Sequence, residues 1–307
     1  MRKPRALRPG DRVAVVAPAS PFKRDEFDLG IAELRSLGFD PVYDDSVFAR
    51  DGYVAGPPAV RAAAFTAAWR DPTVSALIAA RGGYGSVQIL PRLEPAEMAR
   101  HAKPFIGYSD NTSVLTWLTL GCGIVSFHGP MIEGRFARGE AGYDRDTFVR
   151  CLCRAEPVGE IVHPQLEVIR PGECRGMLLG GTLTQLTASL GTPYAFDPPD
   201  GFVLFVDEVA ERPFRIDRML TQLLLSGVLA RAAAVVFGEL PRCEEPGGEP
   251  TARSTVARVL EHFRGPVLYG LPSGHTSGAA LTLPFGVTAS VVADARPRLI
   301  VEEAAVS

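Results

Sequence analysis

P-F-I-G-Y-S-D-N-T-S-V-L-T-W-L, residues 104–118, joins a strand-like run to a helix start. Pro104 to Tyr108 form a short apolar run of strand character. Asp110 to Ser113 are polar residues of the kind that begin helices, and Val114, Leu115, Trp117 and Leu118 then restore an apolar face. A strand turning directly into a helix is the unit from which α/β sheets are built. Ser109 stands at the turn. Such a corner lifts one side chain above the sheet edge, and the free N–H groups of the new helix can meet a developing oxyanion. The hydroxyl is therefore a candidate nucleophile; its competing role is a helix N-cap. The nucleophile-elbow pattern asks for glycine two residues to either side, which Gly107 satisfies and Asn111 does not.

Outward from this corner, the first half of the chain alternates short apolar strands with helical periodicity. Val13–Ala17 is followed by Phe27, Ile31 and Leu34 on one helical face, ending at Gly38. Next come Pro41–Tyr43, an Ala-rich helix from Val60 to Trp69, Val74–Ala80, a helix near Pro95–Ala99, and a strand at Ile124–Phe127 before His128-Gly129-Pro130. This is βαβ rhythm, which predicts a parallel sheet covered by helices. From 156 to 175 the pattern breaks into Pro, Gly and Glu, a linker signal. Beyond it lie a helix at Leu183–Leu190, a strand at Phe202–Val206, a helix at Arg215–Leu225, and strands at Ala232–Phe237, Val267–Tyr269 and Val287–Ala293. The expected fold is α/β. It has an N-terminal parallel-sheet domain of flavodoxin-like or Rossmann-like type over 1–155, a linker at 156–175, and a C-terminal mixed α+β domain over 176–307, with the active site in the cleft between them.

Length and charge bound the function. With 307 residues there is room for two cores. The 32 basic and 35 acidic residues give a net charge of -3, with no basic stripe interleaved with aromatics, so nucleic acid is not an expected partner. No apolar run approaches the roughly 18 residues of a membrane span. The opening M-R-K-P-R-A-L-R…V-A-V-V-A-P-A-S mimics a secretory leader, but Val13 to Ala17 is short of the roughly 7–15 apolar residues a leader needs, and a cytoplasmic location is expected. Five cysteines, an odd number, do not form a complete disulfide framework. Cys151-Leu-Cys153 with His163 has no zinc-site spacing, so no metal is expected.

Three further groups can carry chemistry. Arg81-Gly82-Gly83-Tyr84-Gly85-Ser86 follows a strand, where open α/β sheets bind ligands, yet matches neither the dinucleotide nor the P-loop pattern. Its glycines let backbone N–H groups approach a substrate. His275, in the loop G-L-P-S-G-H, is placed for a general base. Asp207 and Glu208, at the end of a strand, are candidate partners for an imidazole, and strand alternation allows only one of them to face it. His128 reads as a hydrogen-bonded structural histidine.

Taken in order, P-G-D-R-V-A-V-V-A-P-A-S, A-R-G-G-Y-G-S, I-G-Y-S-D-N-T, H-G-P-M, L-G-G-T-L-T, L-F-V-D-E-V-A-E-R-P-F-R-I-D-R-M-L, L-P-S-G-H and L-P-F-G-V resemble the LD-carboxypeptidase family of serine peptidases, which includes murein tetrapeptide carboxypeptidases and microcin C immunity proteins. The resemblance spans nearly the whole chain. It implies a catalytic triad of Ser109, Asp207 and His275, with Glu208 as the alternative acid because the family carries glutamate where this chain has Asp207. It implies oxyanion donors at the backbone N–H groups of Gly83 and Asp110. Thr182 replaces the family's asparagine. The implied activity is release of terminal D-alanine from a murein tetrapeptide, a small peptide substrate, during peptidoglycan recycling, by a homodimer needing no cofactor. The alternatives are a hydrolase of microcin-like aminoacyl nucleotides and a non-catalytic peptide- or nucleotide-binding module.

Overall fold

The computed structural model describes all residues, 1–307. In chain order the first half carries β1 (Arg12–Val16), α1 (Arg24–Ser36), β2 (Asp40–Val42), α2 (Pro58–Arg70), β3 (Val74–Ala79), α3 (Pro95–Arg100), β4 (Phe105–Gly107), α4 (Thr112–Thr116), β5 (Ser126–His128) and α5 (Arg145–Cys153). Then follow β6 (Pro157–Ile161), β7 (Glu167–Arg170), β8 (Gly172–Thr182), α6 (Leu183–Ser189), β9 (Phe202–Asp207), α7 (Pro213–Leu225), α8 (Val228–Arg231) and β10 (Ala232–Gly238). The chain ends with α9 (Ala252–Val259), β11 (Val267–Leu271), β12 (Leu283–Phe285), β13 (Thr288–Ala293) and β14 (Arg298–Ala304).

Local chemistry explains the helices that flank the first sheet. Phe27, Gly30, Ile31 and Leu34 recur at the helical period and bury one face of α1, while Asp25 and Glu26 meet the positive end of its dipole and Arg35 the negative end. Proline opens α2 at its first turn, where no N–H bond is lost. Phe65 and Trp69 of α2 are fully buried and stacked. Each contributes roughly 1.5–3 kcal/mol by leaving water.

The first sheet has the order β12-β5-β4-β3-β1-β2, parallel throughout except for the antiparallel edge strand β12. The run β2-β1-β3-β4-β5 is the flavodoxin-like order, whose switch point lies between β1 and β3, and the glycine-rich loop leaves β3 at that point. The second sheet is mixed, in the order β6-β14-β13-β8-β9-β10-β11-β7, with β8 to β11 parallel and the remainder antiparallel. One apolar core runs from Val13 and Ile106 of the first sheet to Val203 and Phe205 of β9. A second, under α6, α7 and α9, is built from Leu186, Leu220, Leu223 and Val256 against Leu204 and Val206.

Two findings differ from the sequence reading. The segment 156–175, read as a linker, supplies β6 and β7, the two edge strands of the second sheet. An edge strand pairs on one side only, so it tolerates Pro157 and lacks the long apolar run of a central strand. The halves also interlock: β12 comes from the C-terminal part yet pairs with β5 of the first sheet, Leu283 opposite His128.

Candidate active site

β4 ends at Gly107, and Tyr108 continues extended before the chain turns at Ser109 into a short 3-10 turn and α4. Ser109 has φ of 63°, in the left-handed region that a residue with a Cβ enters at a cost of roughly 1–2 kcal/mol. The corner is therefore a strained elbow, the geometry that exposes a nucleophile. A Cβ on Gly107 would stand 3.1 Å from the Asn111 Cβ and 3.3 Å from the Ala79 Cβ, which accounts for the upstream glycine. Asn111 takes the place of the downstream glycine; its amide donates to the Arg81 carbonyl at 3.1 Å and ties the elbow to the glycine-rich loop.

That loop touches the serine directly. A Cβ on Gly82 would lie 2.8 Å from the Ser109 Cβ and 3.0 Å from its Oγ, so only glycine fits. Gly83 has φ of 96°, and its N–H donates to no protein group. Ser20 holds the loop by donating to the Tyr53 carbonyl at 2.8 Å and accepting the Tyr84 N–H at 3.0 Å. Asp110 is buried and its carboxylate is already engaged: it accepts the Ser86 N–H at 2.7 Å and the Gln185 amide at 2.9 Å. Its carbonyl accepts the Ser86 hydroxyl at 2.6 Å, so what Asp110 leaves for a ligand at the corner is its main-chain N–H.

Strand alternation separates the two acids. Val203 and Phe205 of β9 face the core shared with the first sheet, and Asp207 follows them; Leu204 and Val206 face α6 and α7, and Glu208 follows those. Asp207, fully buried, accepts the His275 main-chain N–H at 3.0 Å through Oδ1 and lies 2.7 Å from His275 Nδ1 through Oδ2. Thr182 donates its hydroxyl to the same Oδ2 at 3.3 Å, so the residue that departs from the family's asparagine touches the acid. Glu208 points the other way, accepting the Thr184 N–H at 2.9 Å and its hydroxyl at 2.7 Å at the start of α6.

Electrostatics follow from this arrangement. Burial pushes the Asp207 carboxyl up, but the charge of His275 and its hydrogen bonds outweigh that and hold it below the usual carboxylate range. Burial pushes the His275 imidazole down, and the Asp207 charge and hydrogen bond reverse the effect, leaving it above its ordinary value. Burial carries Glu208 up, against its bonds from Thr184 and Val209.

The structure thus brings Asp207 and His275 together, and the Tyr108 ring, adjacent to Ser109, packs edge-on against His275 with centroids 5.0 Å apart. No hydrogen bond joins Ser109 Oγ to His275; such bonds commonly form only with substrate in place. His128 is a correction: it is fully buried, but neither ring nitrogen has a hydrogen-bond partner, and burial pushes its pKa down to about 4. It sits among Tyr108, Phe205 and Phe285, and a Cβ on Gly274 would collide with both it and Asp207. The sequence reading missed Gly82, although the glycine repeat marked its loop. It also missed Arg135, a buried guanidinium bonded to the carbonyls of Gly274 and Thr276, which no local pattern distinguishes from a surface arginine. An apolar groove of about 630 Å³ beside α2, lined by Val42, Ala64 and Ala67, includes none of the candidate residues.

Family profiles described as the LD-carboxypeptidase N-terminal and C-terminal domains match residues 13–129 and 175–291. The chain belongs to the LD-carboxypeptidase family. A Streptomyces coelicolor protein with a provisional carboxypeptidase name is 39% identical over 298 residues, covering 95% of this chain and 94% of its own length. The murein tetrapeptide carboxypeptidase of Pseudomonas aeruginosa is 30% identical over 292 residues, covering 91% and 92%. Among solved structures, the LD-carboxypeptidase fold is shared with the muramoyltetrapeptide carboxypeptidase of Oxalobacter formigenes, with a TM-score of 0.84 at 30% identity over 95% of this chain and 99% of that one. The microcin C7 self-immunity protein MccF superposes with a TM-score of 0.90 over 100% of both chains at 22% identity, a likeness of fold.

Proposed function

We propose that this LD-carboxypeptidase family member releases the terminal D-alanine of a murein tetrapeptide, with Ser109 as nucleophile, His275 as general base and Asp207 as the orienting acid. The observation that carries the reading is the Asp207–His275 pair beside the strained serine elbow. With Nδ1 committed to Asp207, Nε2 is the nitrogen left to take the Ser109 proton as Oγ attacks the carbonyl on the L-configured side of the scissile bond. The backbone N–H groups of Gly83 and Asp110 stabilise the oxyanion. The imidazolium then gives its proton to the leaving D-alanine amine as the C–N bond breaks. Water, deprotonated by the same imidazole, attacks the acyl-enzyme, and Ser109 Oγ leaves with the proton returned.

A cytoplasmic location and a homodimer belong to the same reading. All five cysteines are unpaired, which suits a reducing compartment, and no helix is long and apolar enough to cross a membrane. Light scattering on the purified protein tests the dimer.

Assay of D-alanine release from murein tetrapeptide, beside an analogue ending in L-alanine, tests the activity; cleavage of the first alone is expected. An aminoacyl-nucleotide substrate run in parallel tests the microcin alternative, which would use the same nucleophile. Labelling of Ser109 by a fluorophosphonate, abolished in His275→Ala, is expected of the hydrolase and not of a binding module.

A further inference from the structure

Arg135 is 6% exposed, lies on the segment after β5, and pairs with no carboxylate. Its Nη2 donates to the carbonyls of Gly274 at 2.7 Å and Thr276 at 2.9 Å, the residues on either side of His275. Its Nη1 donates to Gly278 at 2.9 Å and, on its own side, to Gly142 at 3.2 Å. A planar guanidinium presents several donors in a fixed fork, whereas an ammonium is a point charge. Burying it without a counterion is costly, and the four carbonyls offset part of that cost.

The loop so held has little rigidity of its own. Gly274 has φ of 72°, and residues 274–279 belong to no strand. Glu239, after β10, anchors it from the second sheet by accepting the Thr276 hydroxyl and the Ser277 N–H. Those contacts lie to one side of His275; the carbonyl before it is reached by Arg135, from the half of the chain that carries Ser109.

We propose that Arg135 is a positioning residue for His275, fixing the main chain on both sides of the imidazole relative to the serine elbow. The inference rests on the reading of Ser109 and His275 as nucleophile and base. A general base works only within a narrow range of positions, and a displacement of about 1 Å can cost roughly 100-fold in rate. The cation also opposes protonation of His275, against Asp207 and Glu208, which favour it; neutral His128 and Tyr108 complete the groups around the ring.

The test uses the full chain with Arg135→Met and Arg135→Lys, turnover being normalised to the folded fraction by circular dichroism. Arg135→Met is expected to lower kcat by roughly 10- to 100-fold with KM changed less than about threefold, and to move the midpoint of the kcat/KM pH profile upward because a cation has been removed. Arg135→Lys is expected to keep the parental midpoint and still lose about fivefold or more in kcat, since one ammonium does not span four carbonyls. The lysine variant carries the test alone if the methionine variant does not fold. Turnover of Arg135→Lys within about twofold of the parent, or a methionine variant with an unchanged midpoint, overturns the proposal. Ser109→Ala and His275→Ala run alongside: activity surviving in them defeats the underlying reading, whereas activity lost in them but kept in the Arg135 variants defeats this inference alone.

Discussion

Both carboxylate oxygens of Asp207 are directed at His275, one at the ring Nδ1 at 2.7 Å and the other at the main-chain N–H at 3.0 Å. The acid therefore fixes two things at once, the tautomer of the ring and the backbone from which the ring projects. An aspartate suffices for this because the loop brings the main chain of His275 down to the end of β9; a longer side chain is not needed to reach it.

The division between the acids gives the sharpest prediction. Asp207→Asn should lower kcat by roughly 10³- to 10⁴-fold, because the amide favours the wrong imidazole tautomer. Glu208→Gln should keep turnover within a few-fold and cost about 1 kcal/mol of stability through a weakened start to α6. Steady-state kinetics and urea unfolding of both proteins check this; the opposite ranking in kcat would exchange their roles.

Ser109→Ala should reduce turnover by roughly 10⁴-fold or more while leaving the fold intact, since residues of a triad fail as a unit. Near-parental D-alanine release from that variant would remove serine catalysis from consideration.

Gly82→Ala tests the contact between the loop and Ser109. Gly82 does not have positive φ, so a methyl group there adds no backbone strain, but it meets the Ser109 Cβ at 2.8 Å. Loss of at least about tenfold in kcat with an unchanged circular dichroism spectrum is the expected outcome. Full activity would mean that the serine does not need this packing.

The rate should fall as the pH drops. The proposed base His275 would accept a proton only when neutral, and its pKa is raised above the ordinary value by Asp207. The acid limb of kcat/KM is thus expected to have its midpoint above about 6.5, the value of a free imidazole. Asp207, held below the usual carboxylate range, stays ionised across that window, and Asp207→Asn should move the midpoint down.

Stability carries a separate acid dependence from His128. Its folded pKa is pushed down to about 4, so between the unfolded value near 6.5 and that point the unfolded chain binds a proton that the folded chain does not. Stability is then lost as the pH falls through this window, on the order of 3 kcal/mol in all. His128→Phe, placed among Phe205, Phe285 and Tyr108, should flatten the loss in urea unfolding at about pH 4.5 against about pH 7, two conditions that cover roughly the greater part of that window. An unchanged pH dependence would contradict it.

The parallel sheet was legible because its strands are short, apolar and punctuated by helices of clear period, as Val74–Ala79 and Phe65 with Trp69 illustrate. β8 was not. Gly172, Gly176, Gly180 and Gly181 interrupt it, and glycine reads as loop; here a Cβ at Gly180 would strike the Phe205 carbonyl of β9, and one at Gly181 would strike the Thr112 side chain of α4, so these two glycines serve close packing. At the site, Ser109, His275 and the acid pair stood out by residue type and motif, and alternation along β9 separated Asp207 from Glu208 once the faces were known. Arg135 did not stand out, because its function lies in where its donors end, across the sequence from its own position.

The pairing of β12 with β5 has a consequence for biosynthesis. The sheet bearing Ser109 lacks its last edge strand until Leu283–Phe285 has left the ribosome, so a nascent chain, once β5 is made, exposes the unpaired side of that strand until synthesis is almost finished. Catalytic competence arrives only at the end of synthesis, and shortened chains carry a sticky strand that full-length protein conceals.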